Sequence, residues 1–516
     1  MKTRCCLFAL LITLSLAGQE WNTYGGNVAG WRFSPFDQIN ARTVARLAPR
    51  WVYQTNLPGS NETTPLIFDG MLFATGSSNQ AFALDLKTGK PVWRYSHQSP
   101  KGLDLCCGEV NRGFARLGNR LFKVNIEDHL IALDAQTGSL LWDVELADYR
   151  KGYTGTAAPL VVKNLVITGT SGAEFGIRGF IDAYDAATGK RVWRFNTVPQ
   201  AGERGAETWG PASAIRLGGS TWITGTYDPT LNLIYWGTGN PGPDLDGDNR
   251  PGDNLYTCSM LALDADTGAL RWHFQYTPHD LHDWDAVSDP VLVDIPIQGR
   301  QVKALIQANR NGHFYALDRE NGTPLVSAPY TEVNWTTGIG KDFRPVLNPG
   351  KEPSEAGVRV CPGLGGGHNW QATAWNPGTG MFYFGSTEQC QIYYKSKHGF
   401  VEGQWFQLST VDDIPGERGH GSVIAVDPTT GKIAWRYPML ASPSGGLLTT
   451  AGGLVFVGDA YGYLVALDAK SGKPVWRFQT GASIHAPAVS YLFEGKQYIA
   501  IAAGSSIYAF ALVGES

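Results

Sequence analysis

Residues 464–476, LVALDAKSGKPVW, form a unit that this chain repeats: an apolar-alternating run, an Asp, a Ser-Gly turn, then a short run ending in Trp476. The same cassette reads AFALDLKTGKPVW ending at Trp93, LIALDAQTGSLLW at Trp142, IDAYDAATGKRVW at Trp193, LALDADTGALRW at Trp272 and VIAVDPTTGKIAW at Trp435. A weaker copy, FYALDRENGTPLV, ends at Val326. Period-two alternation before each Asp makes one strand, and the Asp-x-x-Ser/Thr-Gly segment supplies a turn with Gly at positive φ. The residues up to Trp begin the return strand.

One hairpin cannot bury its own apolar face, so copies roughly 40 to 80 residues apart must pack on one another. The spacing predicts four-stranded blades, with a Trp from nearly every copy filling the gap to the next blade. Seven cassettes and a degenerate unit at residues 372–385, ATAWNPGTGMFYFG, predict an all-β, eight-bladed propeller. An open solenoid or two stacked sandwiches is the competing arrangement. Residues 47–55, LAPRWVYQT, read as a strand without a cassette and are expected to close the ring on strands near 507–512.

The repeat overrides the several domains that 516 residues would suggest, and predicts one domain over 18–516. Charged residues make up 17%, below the roughly 25% of an average globular chain. A net charge of −4 without a basic patch argues against a nucleic-acid partner. At the N-terminus, Lys2 and Arg4 precede an apolar run over 5–16 and a small-residue cleavage site at Ser15-Leu16-Ala17. Residues 1–17 therefore read as a secretory signal peptide, too short to span a membrane. Cleavage leaves Cys106, Cys107, Cys258, Cys361 and Cys390 in an oxidising compartment. Cys258 reads as a buried thiol in an alternating strand, and Cys361 and Cys390 could bridge across the degenerate unit.

Three longer segments, 197–257, 328–361 and 390–419, break the repeat and are expected to carry function. Within the first, residues 242–254, GPDLDGDNRPGDN, read as a solvated loop. The sixth position from Asp244 is Asn249 and the twelfth is Leu255, where a Ca²⁺ loop needs Gly and Glu. His279 and His282 lack a third ligand at metal-binding spacing.

Polar motifs that sheet packing does not require lie between the cassettes. They are Asn61-Glu62-Thr63-Thr64-Pro65, CCGEVNRG at 106–113, Thr170-Ser171-Gly172-Ala173-Glu174, Trp222, Gly237-Thr238-Gly239-Asn240, His282-Asp283-Trp284-Asp285, Asn309-Arg310-Asn311-Gly312 and His368-Asn369-Trp370. Their recurrence implies convergence on one axial site. A bond between Cys106 and Cys107 would make a rigid apolar plate; two separate thiols is the other reading.

In this order, the cassettes, CC-x-x-VNRG, SGAE, GTGN and HDWD resemble the pyrroloquinoline-quinone (PQQ) dependent alcohol dehydrogenases over nearly all of the mature chain. The resemblance implies a periplasmic eight-bladed propeller with a Cys106–Cys107 plate on one face of PQQ and Trp222 on the other. It implies cofactor contacts from Glu62, Arg112, Thr156, Ser171, Gly172, Ala173, Arg310 and Asn369, with Ser220 where several members have Thr. Glu174, Asn240 and Asp285 match the metal ligands, and hard oxygen donors suit Ca²⁺. Members that use lanthanides carry a second Asp two positions after the catalytic one; counted from Asp285 that position is Val287, which also points to Ca²⁺. Asp285 is the expected base, with Asp283 its rival, and Arg310 answers the developing negative charge.

The chain has no Cys-x-x-Cys-His, so the resemblance implies a separate electron acceptor such as a cytochrome c. Ser444 stands where many members have Trp, and no Trp-containing tail follows, which implies a more open mouth. The expected activity is oxidation of a primary alcohol. A sugar or polyol dehydrogenase, or a non-catalytic scaffold built of the same repeat, is the alternative.

Overall fold

Each cassette forms the last two strands of four antiparallel strands in one sheet. In the first, Leu66–Phe68 and Met71–Thr75 precede Ala81–Asp85 and Pro91–Tyr95. The turn closes as the pattern requires: Asp85 Oδ1 accepts from the Thr88 N–H at 2.9 Å, and the Gly89 N–H donates to the Asp85 carbonyl at 2.8 Å. The structure is a computed structural model and describes residues 20–514, apart from 60, 212–213, 397–398 and 407–409. Residues 1–17, the expected signal peptide, lie outside the described residues. No helix among the described residues is long and apolar enough to cross a membrane.

Among the described residues the chain is all-β, with seven four-stranded sheets and one of five strands following in chain order. The fifth strand, Phe33–Ser34, runs parallel to Pro443–Thr450. Leu47–Gln54 pairs antiparallel with Ser506–Leu512, so the two ends of the chain share one sheet, as the sequence leads one to expect. The long segments add a two-stranded sheet in each of the first two and contribute to a three-stranded one, Val358–Val360, Gln391–Tyr393 and Val411–Asp413.

The cassette Trp residues join these sheets by one recurring contact. Trp93 lies on Gly138 of the next cassette turn and donates its Nε1–H to the Ala135 carbonyl at 2.8 Å. Trp142 does the same at Gly189 and Ala186, Trp193 at Gly268 and Ala265, Trp272 at Gly322 and Arg319, and Trp435 at Gly472 and Ala469. In the weak copy Val326 packs on Gly431 in place of the ring. Trp51, from the strand without a cassette, covers Gly89, which links the last sheet to the first. Trp476 packs edge-on against Phe510 at 5.8 Å.

The N-terminal segment runs across several sheets in turn. Trp21 exchanges backbone hydrogen bonds with Ile67, and the carbonyls of Val28, Ala29, Trp31 and Arg32 accept from Tyr227, Leu292, Trp375 and Thr449 in turn. It is thereby bonded to five sheets.

Two expectations need correction. The acidic loop 242–254 is largely buried: Asp244 is 2% exposed and Arg250 fully enclosed. Its solvation is replaced by Arg250, which donates to the Pro243 and Asp280 carbonyls at 2.9 and 2.7 Å and to Asn254 Oδ1 at 2.8 Å. Cys258 is a buried free thiol, but it precedes Ser259–Asp264 at φ 46° rather than lying in the strand.

Gly138 combines both constraints of the repeat, with φ 71° and a site where a Cβ would lie 2.6 Å from the Trp93 ring. Gly453, at φ 74°, faces open space. Gly453→Ala is expected to cost about 1 kcal/mol, the left-handed backbone penalty alone. Gly138→Ala should cost at least ~2 kcal/mol more, because the Trp must also move. Chemical denaturation of the two variants measures the difference, and equal midpoints would remove the docking contact from the account of stability.

Candidate cofactor site

In an antiparallel pair the start of the first strand and the end of the second lie side by side. The polar motifs occupy these two positions in successive sheets. Glu62 precedes Leu66–Phe68, Arg112 precedes Ala115–Leu117, and Ser171 and Glu174 follow Leu165–Gly169. Trp222 precedes Thr226–Asp228, Asp283 and Asp285 precede Val291–Ile297, and Arg310 follows Arg300–Ala308. They therefore gather at one end, around a cavity of about 240 Å³. Glu62, Cys106, Cys107, Arg112, Thr156, Ser171, Gly172, Glu174, Trp222, Asp285, Arg310 and Asn369 all line it. Ala173 and Asn240 do not line it; both are buried directly behind residues that do.

Two charged groups are held in the wall with donors to spare. Arg112 pairs with Glu62 at 2.8 Å and lies between the rings of Trp222 and Trp370, 5.1 and 4.9 Å from their centroids. Its Nε and Nη1 are buried without a hydrogen-bond partner. Arg310 reaches Asp285 Oδ2 at 3.0 Å, Asp283 Oδ2 at 3.2 Å and the Leu364 carbonyl at 2.7 Å, while its Nε is unpartnered. Thr156 and Ser171 hydroxyls meet at 2.9 Å. Cys106 and Cys107 are disulfide-bonded and exposed at the rim, with sulfur atoms within 4.8 Å of a Glu174 carboxylate oxygen. Cys361 and Cys390 are also bonded.

Glu174 sits in a 3-10 turn, Ala173–Phe175, set by left-handed Gly172 and Gly176 on either side. Burial, with Asp285 adding to it, pushes its carboxyl up to about 7. Asp285 is tied on both oxygens, accepting from the Asn240 N–H at 2.6 Å on Oδ1 and from Trp222 Nε1–H at 2.9 Å on Oδ2. Burial raises the Asp283 carboxyl, and Asp285, Asp244 and Glu174 push the same way against Arg310. Asp244, buried beside Asn240, is pushed up to about 7 by burial and by Glu174.

This donor set fits the groups that the sequence implies. Unpartnered buried guanidinium nitrogens at Arg112 and Arg310 call for anionic oxygens, such as the carboxylates of PQQ. Crowded carboxylates, buried at Asp285 and half-buried at Glu174 and Asp283, call for a hard cation. The sequence did not single out Trp370, although it lies in a quoted motif, and it did not reach Asp244, which was read as solvated.

Residues 21–346 match the family model of the glucose/ethanol/alcohol dehydrogenase β-propeller domain. The chain is 38% identical to the quinoprotein alcohol dehydrogenase PedH of Pseudomonas putida, over 94% of this chain and 86% of that one. The crystal structure of quinohemoprotein alcohol dehydrogenase from Comamonas testosteroni superposes with a TM-score of 0.91 at 33% identity, covering 96% of this chain and 81% of that one. A europium-containing methanol dehydrogenase gives 0.90 at 31% identity, covering 96% and 98%.

The chain belongs to the PQQ-dependent alcohol dehydrogenases. Residues 419–514 also match the model of the outer membrane protein assembly factor BamB. None of the cavity-lining side chains falls in that stretch, so the match reflects the repeat and leaves the quinoprotein site intact.

A carboxylate buried beside another carboxylate destabilises a dehydrogenase that lacks its cation. Glu174→Gln is therefore expected to raise the stability of chelator-stripped protein by about 1 to 2 kcal/mol. The same variant should fail to retain a cation by elemental analysis. A stripped variant less stable than stripped wild type would contradict the electrostatic reading of this site.

Proposed function

We propose that the protein oxidises a primary alcohol to its aldehyde in the periplasm, with PQQ and a hard cation, and passes the electrons to a separate acceptor such as a cytochrome c. The observation that carries this reading is Arg310 bridging Asp283 and Asp285 in the wall of a cavity that also holds Trp222, Arg112 and Glu174. Closure of the eight sheets as blades of one propeller domain, over 18–516, is supported by the Trp51 contact with Gly89.

When bound, PQQ supplies the two-electron oxidant and the cation a Lewis acid. The rest of the chemistry belongs to the chain. Trp222 offers an aromatic face, its indole fixed by the hydrogen bond to Asp285. Arg112 and the Thr156–Ser171 hydroxyls bind carboxylate and carbonyl oxygens. Glu174, the amide oxygen of Asn240 and Asp285 would hold the cation, and Ca²⁺ matches these oxygen donors. One structural neighbour contains europium, so the fold alone does not select Ca²⁺.

The hydrogen bonds divide the two aspartates. Asp285 has donors on both oxygens, which fixes it as a ligand. Asp283 receives only Arg310 among the described residues, on one oxygen, and its side chain is 19% exposed against 7% for Asp285. We therefore assign Asp283, the rival in the sequence reading, as the base that takes the alcohol proton. Arg310 holds it in place and stays charged, since Asp283 and Asp285 outweigh the burial that opposes its charge.

Asp283→Asn is expected to keep the near-ultraviolet absorbance of bound PQQ and the cation, and to lose alcohol-dependent dye reduction by about 10²-fold or more. Asp285→Asn should lose the cation. If instead Asp285→Asn keeps both groups and is inactive while Asp283→Asn works within a few-fold of wild type, the base is Asp285. Wild type that binds PQQ and reduces no dye with any alcohol would overturn the function.

A further inference from the structure

We propose that Arg32, in the N-terminal segment, is a positioning residue of the cofactor wall: it fixes Thr64, and through Thr64 the Glu62–Arg112 pair, so that Arg112 meets an anionic cofactor in a set orientation. This rests on the reading of the cavity beside Arg112 as the PQQ site.

Arg32 is an expensive residue to keep where it is. It is fully enclosed, and its backbone is left-handed at φ 46°, a conformation that a long side chain adopts only where the surroundings impose it. Its N–H donates to the Gly25 carbonyl at 2.9 Å and its own carbonyl accepts from Thr449 at 3.0 Å, so the main chain is held on both sides. Attachment of the segment does not need the side chain, because the carbonyls of Val28, Ala29 and Trp31 already bond to other sheets. A buried ion pair is in any case a weak source of stability.

The guanidinium is aimed by its neighbours. Its Cζ lies 4.4 Å from the Tyr24 ring centroid, its Nε lies 3.5 Å from Asp289 Oδ2, and its Nη1 donates to Thr64 Oγ1 at 3.3 Å. Tyr24 and Asp289 line a separate cavity of about 140 Å³, whereas Glu62 and Arg112 line the cofactor cavity. Arg32 therefore spans from one cavity wall to the residue behind the other. Burial raises the Asp289 carboxyl while Arg32, and after it Arg112, act against that rise, so one carboxylate feels both guanidinium groups.

Thr64 is where this contact reaches the cofactor wall. Its N–H donates to the Arg112 carbonyl at 2.9 Å, and it forms a parallel bridge with Gly113. A Cβ on Gly113 would lie 2.9 Å from the Thr64 carbonyl, so the two chains touch without slack. Glu62, two residues before Thr64, is paired with the Arg112 side chain at 2.8 Å. Both members of that pair are thus tied to Thr64, one along the chain and the other through its main-chain carbonyl. A tilt of Thr64 would turn Arg112, whose Nε and Nη1 are the donors left for cofactor oxygens. Donors fixed in advance bind with less loss than donors that must be ordered on binding.

The test reads cofactor binding rather than turnover. Full-length protein free of cofactor is titrated with PQQ in the presence of Ca²⁺ or La³⁺, following the quenching of Trp fluorescence, for wild type, Arg32→Gln, Arg32→Lys, Thr64→Val and Trp31→Phe. Arg32→Gln and Thr64→Val should each weaken PQQ binding about tenfold or more. Arg32→Lys should fall between Arg32→Gln and wild type, since an ammonium keeps the charge but cannot span Thr64 and Asp289 together. Trp31→Phe loosens the same segment by removing the 2.7 Å hydrogen bond to the Leu292 carbonyl, and should leave PQQ affinity unchanged. If Arg32→Gln fails to fold, Thr64→Val, which keeps the side-chain shape, decides alone. Unchanged affinity in Thr64→Val, or an equal loss in Trp31→Phe, would overturn the proposal. Wild type that binds no PQQ with either cation would instead remove the function on which it rests.

Discussion

The fold depends on one contact, a Trp ring laid on the glycine of the next turn. A left-handed residue is needed to close the Asp-x-x-Ser/Thr-Gly hairpin, and glycine alone adopts that conformation without strain. The absence of its Cβ also leaves a flat place of ring size on the neighbouring sheet. The Trp fills it, buries a large apolar area and satisfies its N–H on a turn carbonyl. Local turn chemistry and long-range packing thus select the same residue, which is why the pair recurs from sheet to sheet. Where the Trp is lost, at Val326, the glycine partner Gly431 remains, so the docking geometry outlives the ring.

That arrangement lets the axis carry groups that no ordinary core would tolerate. Each buried donor or acceptor left without a partner costs about 1 to 3 kcal/mol. Here Arg112 and Arg310 both have such atoms, beside several carboxylates in mutual repulsion. The sheets are bonded through their own ladders and joined through Trp contacts at their outer strands. Cohesion supplied there lets the inner segments hold unsatisfied charge. A dehydrogenase site of this kind is a region of stored electrostatic cost that cofactor and cation relieve.

Legibility in the sequence follows the same division. The cassettes could be read because their signal is local: alternation, turn residues and Trp all fall within about a dozen positions. The pairing of residues 47–54 with the C-terminal strand could be read because an orphan strand in a repeat protein needs an edge. Glu62, Arg112, Ser171, Trp222 and Asn369 were legible only through the order of motifs, since nothing about each alone distinguishes a cofactor contact from a turn residue. Asp244 was misread for a physical reason. An acidic, Gly- and Pro-rich run is solvated unless something inside the fold replaces the water, and here Arg250 and Asn240 do so from positions whose approach no local rule foresees. Cys258 was placed as buried, but its left-handed backbone at the start of a strand left no mark in the composition.

The roles of Asp283 and Asp285 turn on a geometric point that motif matching passes over. Trp284 between them is fully buried, stacked on His282 at 4.2 Å and donating Nε1–H to the Gly363 carbonyl at 3.2 Å. Trp284 anchors the segment, and the carboxylates on either side of it both line the cavity, where one guanidinium reaches both. Their hydrogen bonds separate them: among the described residues Asp283 receives Arg310 on one oxygen, while Asp285 is held on both, by the Asn240 N–H on one and by Trp222 and Arg310 on the other. Two chemically identical side chains are thus made unlike by the donors around them. On the assignment proposed above, the donor-free oxygen belongs to the group that accepts the proton, and the fully bonded carboxylate to the cation ligand.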